Sequence, residues 1–179
     1  MLSVDGGMMG RVPEIFEDPL RPADRYVVHP SPIGNLLLTG NGEQLMCLWF
    51  WENPGELPVG VREDPGAFTE VASQLDEYFA GDRKQFDLRL APVGAGFNRR
   101  VWAELLTVTY GETASYGDIA RQLGNPGASR AVGSANHVNP IAIIIPCHRI
   151  IGADGGMTGY AGGLPIKHHL LGLEAQTLF

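Results

Sequence analysis

The chain has 179 residues, 44% of them hydrophobic, two cysteines and a formal net charge of −7. This suits one ordinary domain or two small ones with a normal core, and excludes disorder of the whole chain. No run approaches the ~18 apolar residues that would span a bilayer. The opening MLSVDGGMMGRVPEIFEDP has no basic stretch leading into an apolar one, and two cysteines cannot build a disulfide scaffold. A soluble, cytoplasmic protein with free thiols is expected.

Residues 1–24 carry Gly, Pro and acidic residues without apolar period and read as a flexible extension. From Arg25 the pattern becomes strand-like. Tyr26–His29, Asn35–Thr39 and Leu45–Trp51 are short apolar runs separated by Ser-Pro-Ile-Gly and Gly-Asn-Gly turns, a small antiparallel meander. Phe68, Val71, Ala72, Leu75 and Phe79 then recur at helical spacing, stopped by Gly81. Phe86–Leu90 reads as another short strand. Residues 25–90 are expected to form a small α/β scaffold domain, and 91–96, APVGAG, a linker.

Beyond the linker the period is helical. Phe97, Val101, Leu105 and Val108 share one face. Thr113 or Ser115 can cap a second helix running to Gln122, with Gly124 as its stop. Asn125-Pro126-Gly127 is a turn, and Ser129 can cap a third helix from Arg130 to about His137. Helix, short Gly-containing turn and helix is a helix-turn-helix pattern, though many such pairs never meet DNA. Ile141–Ile145 is a continuous β-branched run and reads as a buried strand. Gly152, Asp154-Gly155-Gly156 and Gly159 suggest a tight turn or wing, and Leu164–Leu173 closes the chain as a helix. Residues 97–179 are thus expected to form a mostly helical, winged-helix-like domain.

Charge is divided between these halves. Residues 1–90 hold 7 Lys/Arg and 15 Asp/Glu, whereas residues 91–179 hold 6 and 5. The second half is not repelled by phosphates and can meet DNA with modest affinity.

The chemistry-bearing feature is Pro146-Cys147-His148-Arg149. A thiol at the end of a buried run, followed directly by His, is a candidate nucleophile; a buried structural cysteine is the alternative. On an extended strand the two side chains would point oppositely, so a bend or a bridging water is needed to couple them. Glu174 on the last helix could orient the imidazole. Cys47, Trp49 and Trp102 read as packing residues, His168 and His169 as surface residues, and Arg149 as a salt-bridge brace between the halves.

Asn139-Pro-Ile-Ala-Ile-Ile-Ile-Pro-Cys-His-Arg-Ile150 resembles the active-site segment of the O6-alkylguanine-DNA alkyltransferases. Ser115-Tyr116-Gly117 and Arg130-Ala-Val-Gly133 precede it at the family's spacing. Gly159-Tyr-Ala-Gly-Gly-Leu164, Lys167, Leu170-Leu171 and Glu174 follow it. The resemblance is strong over about 95–175 and loose over 25–90.

The resemblance implies direct-reversal repair. A single-turnover transfer of an alkyl group from guanine O6, with thymine O4 left open as a second donor, would end on Cys147, with no cofactor. It implies that His148 takes the thiol proton, Glu174 orients His148, Asn139 braces the network and Tyr116 bonds the base. Main-chain groups around Cys147, Ile150 and Ala161 would read the guanine edge, Tyr160 would help wall the pocket, and Asn136 stands at a base-packing position. Arg130, Ala131, Gly133, Ser134 and Ala135 would meet the minor groove of duplex DNA, Arg130 filling the gap left by a flipped nucleotide. A monomer is implied, with cooperative clustering on DNA left open.

Two features depart from the family's patterns. The first half offers only Cys47 and His29, so the structural zinc of some members is not expected. Asn136 and Ala161 stand where relatives carry other residues, which bears on adduct size. The competing reading is a non-catalytic alkyl-lesion sensor of the alkyltransferase-like type. Such proteins lack the reactive cysteine, so Cys147 speaks against it.

Overall fold

The computed structural model describes residues 15–51, 57 and 59–176. Its N-terminal half is a four-stranded sheet with one helix. Strands β1 (Arg25–Ser31), β2 (Gly34–Gly40) and β3 (Leu45–Phe50) form the expected antiparallel meander. β4 (Arg62–Glu63) adds in parallel to β1, giving the order β3-β2-β1-β4. The Ser31 hydroxyl donates to Gly34 O at 2.5 Å across the first turn, where Gly34 takes φ 104°. Helix α1 (Thr69–Ala80) turns Val71, Leu75 and Tyr78 into the core with Leu36 and Leu38. It stops at Gly81, whose left-handed φ of 83° lets its N–H reach the Tyr78 carbonyl.

Four expectations for this half are corrected. Tyr78, not Phe79, is the fully buried residue at the end of the α1 stripe. Phe86–Leu90 forms no strand, because the Gln74 side chain clasps both the N–H and the carbonyl of Asp87, each at 2.9 Å. Leu90 keeps a single parallel bridge to Leu45. Of the extension proposed over 1–24, residues 1–14 lie outside the described residues. Residues 15–24 are packed: Phe16 is buried, Glu17 N bonds Leu90 O, and Leu20 N bonds the Gln44 side chain. Trp49, expected to pack in the core or between the domains, is 38% exposed.

The C-terminal half is helical. It comprises α2 (Gly96–Leu105), α3 (Tyr116–Gln122), α4 (Ser129–His137) and α5 (Leu164–Gln176). Ser115 caps α3 in a full capping box with Asp118, so the choice between Thr113 and Ser115 falls on Ser115. Ser129 is not a cap. A 3-10 turn over Pro126–Ala128 runs directly into α4, making Ser129 its first residue. Trp102, 1% exposed, donates its indole N–H to Ala135 O at 2.8 Å and locks α2 to α4.

The largest departure concerns Ile141–Ile145. All five residues are buried, as expected, but they coil instead of extending. Ile141 pairs edge-on with Leu48 of β3, through Leu48 N to Pro140 O and Ala142 N to Leu48 O. The chain then turns back, with Ile145 N on Ile141 O and Ile143 held at φ 69°. A β-branched residue in the left-handed region is strained and persists only where the surroundings dictate it. This turn seats the Cys147 segment against the N-terminal sheet. Beyond it, β6 (Ile150–Ile151) pairs in parallel with β5 (Ala114–Ser115), and residues 152–156 form the tight turn.

Candidate active site

Cys147 opens a 3-10 turn, Cys147–Arg149, and is 3% exposed. The turn supplies the bend that a strand would have denied, since successive side chains diverge by about 120° instead of pointing oppositely. Asn139 holds the start of this turn. Its amide nitrogen donates to Ile145 O at 2.9 Å and to Cys147 Sγ at 3.0 Å, while its oxygen accepts from Ile141 N.

His148 is wholly buried, and its Nε2 lies 2.7 Å from Glu174 Oε1. A carboxylate oxygen accepts, so Nε2 carries the proton and Nδ1 is left as an acceptor. Among the described residues Nδ1 has no hydrogen-bond partner. Glu174 is the hub of the site. Its Oε1 also accepts from Tyr78 OH at 2.7 Å and from an Arg149 terminal nitrogen at 3.0 Å. Its Oε2 accepts from Arg149 Nε at 2.9 Å and Gly111 N at 3.1 Å. Arg149 spends its remaining terminal nitrogen on Val108 O at 2.7 Å and lies over the Tyr110 ring. It is a salt-bridge brace turned away from solvent, but not the brace between the halves that was expected, since Glu174, Val108 and Tyr110 all belong to the second half.

These contacts set the charges. Burial pushes the Cys147 thiol up, against the opposing pulls of Asn139, Tyr160 and Lys167, so the resting group is a thiol. Burial also pushes the His148 imidazole down, outweighing Glu174, so it rests neutral. Burial raises Glu174 as well, but the His148 and Arg149 bonds outweigh it and bring the carboxyl down to about 2. A neutral thiol, a neutral imidazole with a free acceptor and a permanent carboxylate stand in sequence. Cys47 differs: burial carries it up to about 12, and its partners among the described residues are Thr39 and Trp49, neither of them a base.

The base-side residues fall on two surfaces. Tyr116 OH bonds Thr158 Oγ1 at 2.7 Å. Tyr160 packs its ring edge-on to His148 and to Phe50 of β3, its hydroxyl buried beside the thiol without a well-formed hydrogen bond. Ala161 is exposed. The Ile150 side chain is fully buried, and its carbonyl takes the Lys167 ammonium at 2.5 Å.

On α4, Arg130, Gly133, Ser134 and His137 line a groove of about 660 Å³ with Tyr116, Ser129 and Val138. Ala131 is also exposed. Ala135 and Asn136 are not on that face. They are 1% and 6% exposed, one helical step round with Val132, facing inward. Ala135 is thereby removed from the expected DNA-facing set, and Asn136 lies behind the groove.

Residues 96–176 match the family described as 6-O-methylguanine DNA methyltransferase, DNA binding domain, and residues 25–92 match its ribonuclease-like domain. A methylated-DNA–protein-cysteine methyltransferase of Methanosarcina acetivorans is 52% identical over 153 residues, covering 84% of this chain and 98% of its own. The chain belongs to the 6-O-methylguanine DNA methyltransferase family. A second relative of that name, from Mycobacterium tuberculosis, is 54% identical over 151 residues, covering 83% of this chain and 91% of its own. The crystal structure of Mycobacterium tuberculosis OGT in complex with DNA matches this methyltransferase fold with a TM-score of 0.82. It does so at 51% identity, covering 86% of this chain and 94% of that one.

Sequence reasoning missed three residues of this methyltransferase site. Tyr78 and Phe50 come from the N-terminal half, and nothing local marks them, because their partners lie about a hundred residues away. Thr158 had no signal either. Lys167 was noted only as part of a motif, although a buried lysine is rare enough to deserve a role.

Proposed function

We propose that this chain repairs DNA by direct reversal, moving an alkyl group from guanine O6 onto Cys147. The observation that carries this is the buried thiol held by Asn139 beside a His148–Glu174 pair with a free Nδ1 acceptor. The curated relatives' name, methylated-DNA–protein-cysteine methyltransferase, supports it. The alkyl carbon is an SN2 centre, and sulfur is a suitable soft nucleophile. The C–S bond forms as the C–O6 bond breaks. The thiol proton passes through a water to His148 Nδ1, while Tyr116 OH offers a proton to the departing guanine. The thioether has no easy hydrolytic exit, so one molecule repairs one lesion. Transfer onto sulfur needs no activated water.

The partner we assign is duplex DNA carrying an O6-alkylguanine, met through the minor groove without sequence preference by a monomer. O6 is out of reach within an intact stack, so the nucleotide must be extruded. The exposed α4 face, with Arg130 beside small residues and Tyr116, suits that approach. Residues 97–179 would carry the chemistry and residues 25–90 the scaffold. The compartment we assign is the cytoplasm; no helix among the described residues is long and apolar enough to cross a membrane.

The decisive experiment is intact-protein mass spectrometry after mixing with a duplex holding one O6-methylguanine, followed by peptide mapping. One methyl group on Cys147, saturating at one per protein, is expected. Lesion binding without a mass gain would make the chain a damage sensor. Arg130→Ala separates extrusion from chemistry. Repair in duplex DNA should fall by about tenfold or more while reaction with free O6-benzylguanine, which needs no flipping, stays near wild type. Equal losses on the two substrates would remove Arg130 from the flipping step.

A further inference from the structure

The N-terminal domain reaches the proposed proton relay at one atom. Tyr78 is the last buried residue of the α1 stripe and is fully enclosed. Its ring is pinned by Phe79, Phe86 and Tyr110, with centroids 5.4, 5.5 and 6.0 Å away. Its hydroxyl donates to Glu174 Oε1 at 2.7 Å, the same oxygen and the same distance at which His148 Nε2 is held. The burial around it, and then the carboxylate beside it, push this phenol well above its ordinary range, so it serves as a donor throughout the working pH range.

We infer that Tyr78 is a positioning residue for alkyl transfer: its hydroxyl fixes the Glu174 oxygen that orients His148 and limits how strongly that oxygen pulls on the imidazole. This rests on the proposed role of Glu174 in the relay.

Three donors converge on Oε1, from Tyr78, His148 and Arg149, and two on Oε2, from Arg149 and Gly111. Each donor spreads the carboxylate's charge and leaves less for the imidazole. The other charged or titratable groups facing the pair are Cys147 and Arg149 on the 3-10 turn, Lys167 on α5, and the Tyr160 and Tyr110 hydroxyls. Arg149 and Lys167 both disfavour a protonated His148. Tyr78 acts with them, but through Glu174 and from the other domain. Without its donor, Oε1 becomes more basic, the Nε2–H bond strengthens, and His148 takes up a proton more readily. A base must be neutral to accept the thiol proton, so the acid limb of the rate profile would move to higher pH.

The test is the single-turnover transfer rate on duplex DNA holding one O6-methylguanine, at saturating DNA, from pH 5 to 9. Tyr78→Phe keeps the ring and its packing. It should lower the rate by on the order of tenfold, through a loosened Glu174, and raise the acid limb by about half to one pH unit. Replacing Tyr78 with a ring-fluorinated tyrosine, a stronger hydrogen-bond donor, should move the limb the opposite way. A purely structural role would move the thermal midpoint and leave both limbs in place. Glu174→Gln is run alongside. If it transfers at the wild-type rate, the relay itself fails. If it is slow while both Tyr78 variants keep the wild-type rate and limb, the relay stands and the Tyr78 inference is overturned.

Discussion

Cys147→Ala is expected to abolish alkyl transfer completely while leaving affinity for duplex DNA within about twofold of wild type, because Cys147 is 3% exposed and its sulfur is held from inside by Asn139. The stability cost should be small, about 1 kcal/mol, since only a sulfur is removed. Cys47→Ala should transfer at the wild-type rate. Both thiols are pushed up by burial, so burial does not separate them. The difference is the company each keeps. Cys147 has the Asn139 amide on its sulfur, Lys167 charge nearby and a neutral imidazole next in sequence. Among the described residues Cys47 has Thr39 and Trp49. Residual methyl uptake by Cys147→Ala, located by peptide mapping on another residue, would end the assignment.

Glu174→Ala should be the most destabilising single change in the site. It strips the carboxylate from Arg149, which is 7% exposed, and leaves Tyr78 OH and Gly111 N without their acceptor. Breaking a buried pair by removing one partner typically costs about 3–5 kcal/mol. For a chain of this size that lowers the thermal midpoint by on the order of 10 °C. The variant should also lose part of the protein's acid sensitivity. Glu174 is depressed from 4.5 to about 2 in the fold. Its contribution is therefore complete above pH 4.5 and is lost as pH falls toward 2, about 3 kcal/mol over that window. His148 acts in the same direction at higher pH. Its folded form is held neutral, so acidification below its ordinary range opposes folding. Wild type should lose stability steeply between pH 4.5 and 2, and Glu174→Ala less so. A midpoint within 2 °C of wild type, or identical acid slopes, would contradict this account.

Much of the scaffold was legible because its signals are local. The meander follows from alternating apolar runs and their turns, the end of α1 from Gly81, and the start of α3 from the Thr113-or-Ser115 cap, which the structure resolves to Ser115. The Pro-Cys-His-Arg segment and Glu174 were legible as a set through family resemblance, and the structure brings Asn139, Cys147, His148 and Glu174 together. What failed was governed by tertiary context. Ile141–Ile145 has every local mark of a strand, yet one edge pairing to Leu48 and a left-handed Ile143 fold it back. Ala135 looked like a small residue suited to DNA, but the Trp102 indole claims its carbonyl from inside. On the α1 stripe, i+3 and i+4 are both admissible after Leu75, and only the distant Glu174 selects Tyr78 over Phe79.

The Tyr78–Glu174 bond joins residues 96 apart in the chain. Loops of that length close at an entropic cost that must be met before the contact returns anything, which places such pairings late in folding. A growing or partly unfolded polypeptide thus carries Cys147 as an ordinary cellular thiol, with no tuned base beside it. Reactivity matures with the last long-range closure, so a protein that can act only once is armed only when it is whole.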